Sequence, residues 1–61
     1  MGVKPLDAES LTEFLTAIVE IAEVYEPAEF GVALGRIQGI ADVNIQHLLH
    51  DGNSIIIPDV K

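Results

Sequence analysis

Two imidazoles and a carboxylate stand close together near one end of this chain, with His47 and His50 three residues apart and Asp51 four after His47. On a helix that spacing puts all three within about one turn, as adjacent ligands of a transition metal would be. A metal site takes further ligands, however, and the sequence offers no second cluster and no cysteine. The pair is therefore read as the last turn of a helix, where the dipole favours a partly protonated imidazole. No metal and no cofactor is expected.

Other candidates for chemistry are weaker still. Glu20 and Glu23 read as solvated neighbours on one helix face, not as an acid and a base held apart by their surroundings. Ser10 and Ser54 form no recognisable nucleophile arrangement with the histidines. We expect no catalytic residue and no enzymatic activity.

A third pattern is structural. Gly31, Gly35 and Gly39 recur every four residues in a stretch whose apolar spacing asks for a helix. Each costs about 1 kcal/mol relative to alanine there, which suggests that another backbone comes close. Steps of four leave a shallow groove along one side, the device by which small residues let helices approach. The flanking residues do not fit a phosphate loop, which follows a strand and often carries a lysine. The trio is read as a packing or oligomer interface, together with Leu34 and Ile37 on the same segment and Leu15 and Ile18 on the segment before it.

The segment 34–49 also has a second reading. Gly35, Gly39, Ile45 and Leu48 are spaced broadly as in a helix-turn-helix, with Gly39 as the turn and Asn44, Gln46 and His47 offered to base edges. Its electrostatics are poor. The net charge is -7, and ten acidic residues face only Lys4, Arg36 and Lys61, whereas DNA readers neutralise phosphates with several cations. A degenerate helix-turn-helix DNA-binding regulator is thus the alternative, and nucleic acid the disfavoured partner.

The charge distribution gives the leading reading. Seven of the ten acidic residues lie between Asp7 and Glu29, so the first half of the chain carries most of the charge. Glu13, Glu20 and Glu23 fall on one strip of its helix with no cation beside them, and a basic protein surface would suit that strip. With 49% hydrophobic residues in 61, a single small domain has more apolar surface than it can hide, and self-association would cover the remainder. No stretch reaches the ~20 apolar residues of a membrane span, and the first residues lack the apolar core of a signal peptide. The expected function is that of a small acidic non-catalytic interaction protein: a cytoplasmic regulator, inhibitor or assembly component that forms homo-oligomers.

These residues need elements to position them. Asp7 reads as an N-cap and Leu6 with Leu11 as a hydrophobic staple, so a helix should begin near Ala8. Leu11, Leu15, Ile18, Ala22 and Tyr25 trace its packed seam, widened by Phe14 and Ile21 on one side and Val19 on the other. Glu26-Pro27 ends it and opens another. From Pro27 to about Asp51 heptad steps at Phe30, Leu34, Ile37, Ala41 and Leu48, with Asn44 between the last two, predict one long helix or two broken near Gly39; one is preferred. Gly52 should end it in the left-handed conformation. Ile55-Ile56-Ile57 predicts a strand stopped by Pro58. Its partner is Gly2-Val3-Lys4, the same segment of another subunit, or a helix groove. The expected fold is a mainly α helical hairpin with a short extended C-terminal segment, residues 1–6 and 53–61 as extended or flexible tails of one domain, assembling as a homodimeric helical bundle.

Overall fold

The computed structural model describes residues 2–60; Met1 and Lys61, the outermost residues of the two expected tails, lie outside the described residues. In chain order they form strand β1 (Gly2–Pro5), helix α1 (Ala8–Val24), a 3-10 turn (Pro27–Glu29), helix α2 (Phe30–His50) and strand β2 (Ser54–Ile57). The protein is mainly helical, with one two-stranded antiparallel sheet. Because β1 leads into α1, β2 follows α2, and the strands pair, the start of α1 lies near the end of α2. The two helices are an antiparallel hairpin.

Local chemistry accounts for each boundary. Asp7 is extended and its Oδ1 accepts from Ser10 N–H at 2.8 Å, so α1 begins at Ala8 as the cap dictates. After Val24 the backbone turns extended through Tyr25 and Glu26, as proline demands of the residue before it. Glu29 then closes the turn from both sides: its N–H donates to the Glu26 carbonyl at 2.8 Å and its Oε1 accepts from Glu26 N–H at 3.1 Å. α2 follows at once and runs unbroken through Gly39. The left-handed end expected at Gly52 is not formed, since no described residue has positive φ. Asp51 ends the helix instead, with extended backbone, and its Oδ1 accepts from Asn53 N–H at 3.1 Å to shape the turn.

The strand register places Pro5 where it does no harm. Gly2 pairs with Ile57, Val3 with Ile56, Lys4 with Ile55 and Pro5 with Ser54, and Leu6 N–H extends the ladder to the Asn53 carbonyl at 3.0 Å. An antiparallel ladder alternates, so Pro5, which has no N–H, sits at a position that needs none. By the same alternation Ile56 turns its N–H and C=O away from β1. Asn44 of α2 receives both: its Oδ1 accepts from Ile56 N–H at 2.9 Å, and its Nδ2 donates to the Ile56 carbonyl at 3.2 Å and to the Ile40 carbonyl at 3.1 Å. A buried side-chain amide thus continues the sheet as a third strand would.

The core is small. Ile21 is fully buried, and Ala17, Ala33, Ile55 and Ile57 join it where the ribbon lies over the hairpin. This corrects the expected seam of α1. Leu11, Leu15 and Ala22 are exposed, while the buried side runs through Ser10, Ala17 and Ile21 with Phe14, Ile18 and Tyr25 half-buried. The cause is the ribbon, which occupies the Phe14–Ile21 flank and leaves the seam outside. On α2, Phe30, Leu34 and Ala41 are likewise exposed.

Asn44→Ala is expected to lower the unfolding free energy by about 2–4 kcal/mol, because both backbone groups of Ile56 lose their partner. Gln46→Ala on the exposed side of the same helix should change it by less than about 0.5 kcal/mol. Urea denaturation of the two variants provides the measurement.

Candidate functional site

The sequence-predicted residues fall on distinct sides of the hairpin. At 100° per residue, the ribbon and the facing helix cover one sector of α1, and Leu11, Leu15 and Ala22 occupy the next, on the side away from the ribbon. The corresponding sector of α2 carries Leu34, Ala41 and Ile45. Both stripes therefore share one face of the two-helix layer, opposite the sheet. Leu15 is 60% exposed, Leu34 45% and Ile45 53%, while Ile18 and Ile37 lie half-buried at its midline, where the helices meet. The described residues expose 4270 Å², somewhat above the ~3,900 Å² of a typical folded monomer of this mass.

Gly31, Gly35 and Gly39 lie on the outer flank of α2, beside this face. A Cβ built on any of them meets no atom within 4 Å. They make no close contact with α1, so the backbone approach that the spacing suggested does not occur inside the chain.

Glu13, Glu20 and Glu23 occupy the outer flank of α1, all exposed. The strip is not wholly without a cation, since Lys4 Nζ of β1 stands 3.7 Å from Glu13 Oε2, an exposed pair of small energetic weight. A cavity of about 300 Å³ opens beside it, with Glu13, Thr16 and Glu20 on one wall and Ile57, Pro58 and Val60 on the other. Its floor is apolar and its rim acidic.

Arg36 and Asn44 of α2 are already engaged. Arg36 Nη2 donates to the Asp59 carbonyl at 2.6 Å, and Nη1 to the Val60 carbonyl at 3.0 Å and the Tyr25 hydroxyl at 3.4 Å, tying the C-terminal segment to the hairpin. Asn44 is turned inward to β2. The turn at Gly39 that a helix-turn-helix requires is absent, and two of the residues best suited to contact DNA are turned to the fold.

His47 and Asp51 do come together, around Ser54. The Ser54 hydroxyl donates to Asp51 Oδ2 at 3.0 Å and lies 2.6 Å from His47 Nε2. The hydroxyl thus bridges the carboxylate and the imidazole, and the order Asp–Ser–His is not that of a nucleophilic triad, in which the histidine lies between the other two. The chain of bonds fastens the end of α2 to the start of β2. His50 is exposed, and no group of three or more metal-ligating side chains occurs among the described residues.

Asp51 is held below the ordinary carboxylate value of 3.8 by the Asn53 N–H first, then the Ser54 hydroxyl, with smaller help from the charges of His47 and His50 against slight desolvation. Among the described residues no helix is long and apolar enough to cross a membrane. Comparison with family models, curated proteins and solved structures finds no significant match to this chain.

The lowered value of Asp51 means that folding favours its ionised form, so its contribution is full above the unfolded-state value near 3.8 and fades as pH falls through the folded one. Asp51→Asn should therefore lower the urea midpoint at pH 7, and the gap to the unsubstituted protein should narrow at strongly acid pH.

Proposed function

We propose that this chain is a small acidic non-catalytic interaction protein, a cytoplasmic regulator, inhibitor or assembly component that self-associates through its apolar helix faces and docks an acidic helix face on a basic protein. The observation that carries the reading is the continuous apolar face shared by α1 and α2 on the side away from the sheet. Exposed leucines scattered singly need no explanation; a two-helix stripe of them at heptad steps is what interfaces are made of. Leu15, Ile18, Leu34 and Ile37 form its middle, and the bare backbone at Gly31, Gly35 and Gly39 borders it where another subunit can approach.

The acidic strip serves a different contact. Glu13, Glu20 and Glu23 lie on the other flank of α1, beside the cavity with the apolar floor, a combination that suits the alkyl stem and charged head of a lysine or arginine side chain. Long-range attraction would steer such a partner and make its binding sensitive to salt.

Light scattering at micromolar concentration should give a mass above that of one chain, and Leu34→Glu should reduce it to one chain with the helical circular dichroism retained. Gly35→Leu should weaken assembly without unfolding the chain, since its side chain would enter open space. A monomeric unsubstituted protein sinks the self-association. For the acidic strip, the partner recovered from the native cell should bind the Glu13→Gln, Glu20→Gln, Glu23→Gln triple variant at least about tenfold more weakly, roughly the loss of a few rim charges; undiminished, salt-insensitive binding sinks the docking.

A further inference from the structure

We infer that the occupant of the apolar helical face is a second copy of this chain, seated face to face about a two-fold axis parallel to the helices, so that α1 of each copy stacks on α2 of the other and both ribbons lie outside. This rests on the self-association proposed above and adds its geometry. Leu11, Leu15, Phe30, Leu34, Ile45 and Leu49, at their fractional exposures, offer on the order of 600 Å² before the smaller residues between them are counted, close to the ~800 Å² each partner gives a standard interface. The stripes of Leu11, Leu15 and Ala22 and of Leu34, Ala41 and Ile45 carry no charged residue, and Asp42 stands at the rim beyond Leu49. Two copies can therefore meet on the stripes with Asp42 at the solvent-exposed rim and the other charges outside.

Charge selects the axis. A two-fold perpendicular to the helices would stack α1 on α1 and set both glutamate strips along the same edge of the assembly, like charge beside like charge. The parallel axis sends the strips to diagonally opposite edges, separated by the width of the hairpin. Side-chain size favours the same choice. With the midpoints of Ala8–Val24 and Phe30–His50 set level, Leu15 lies beside Ala41 and Ala22 beside Leu34, so the parallel axis sets Leu15 against Ala41 of the second copy and Leu34 against its Ala22. Large residues then face small ones, as an interdigitated helical core requires. Each helix also gains an antiparallel neighbour, and four helices enclose one seam.

The natural chain has no cysteine, so single cysteines at exposed seam positions report the contact without background. Leu15→Cys and Ala41→Cys are prepared separately, their dimer mass checked by sedimentation equilibrium, and oxidised alone and as an equimolar mixture. A disulfide forms only where Cα atoms come within about 7 Å. The expected result is a cross-linked dimer in the mixture and little in either variant alone. Cross-linking of Leu15→Cys by itself overturns the inferred axis while leaving self-association standing, as does a dimer that cross-links in no combination. A protein that stays monomeric at high micromolar concentration overturns both.

Discussion

The amide of Asn44 against the peptide of Ile56 is the contact on which the rest of this fold depends. A two-stranded ribbon alone is marginal in water, and its second strand would carry an unpaired edge toward the helices. Asn44 removes that edge by giving Ile56 a donor and an acceptor at 3.2 and 2.9 Å. With the edge closed, Ile55 and Ile57 can turn inward onto Ile21 and the alanines, and those residues are the core. The polar and apolar contacts depend on each other: burying β2 with both Ile56 backbone groups unpaired would cost about 2–6 kcal/mol, enough to offset most of the roughly 3–6 kcal/mol that burying the two isoleucines recovers.

The same contact decides which side of the hairpin stays open. Once the ribbon is fixed to the Asn44 side of α2 and the Ser10–Ile21 side of α1, the heptad seams of both helices are left facing away from it. Three further polar anchors reinforce the choice: Lys4 to Glu13 across from β1, His47 with Ser54 and Asp51 at one end, and Arg36 with the Asp59 and Val60 carbonyls at the other. The molecule thus places hydrogen-bonding side chains at its internal joints and most of its leucines outside.

How much of this could be read from the sequence follows from the range of each interaction. Local signals were sufficient for the cap at Asp7, the break at Glu26-Pro27, the strand at Ile55–Ile57 and the presence of a hairpin, because each is decided within a few residues. Gly52 misleads because Asp51 ends the helix through its own side chain, which makes a left-handed glycine unnecessary. The seam of α1 misleads more instructively. Its period is legible, but a helix with apolar residues over so wide a sector has two possible buried sides, and the choice between them lies with a strand some thirty residues on. One residue did carry a signal for it: Asn44 interrupts the heptad steps of α2, and a polar residue in an apolar seam either faces water or has a partner that local sequence does not name. Arg36 and Ser54 gave no such sign, since their partners are backbone carbonyls of the C-terminal segment and a turn not yet placed.

The hairpin therefore satisfies two different periodicities with one pair of helices. Ser10, Ala17 and Ile21 on α1 and Ala33, Ile40 and Asn44 on α2 serve the ribbon; Leu11, Leu15 and Ala22 with Leu34, Ala41 and Ile45 form a second stripe about a quarter-turn or more away. In a chain with ten acidic residues, seven of them on or beside the first helix, the second stripe itself carries none, and Asp42 stands just beyond its α2 edge. The carboxylates of α1 are gathered on the opposite flank at Glu13, Glu20 and Glu23. Such a division sets charge on one surface and apolar side chains on another, and the glycines bordering the open stripe leave its edge bare of side chains.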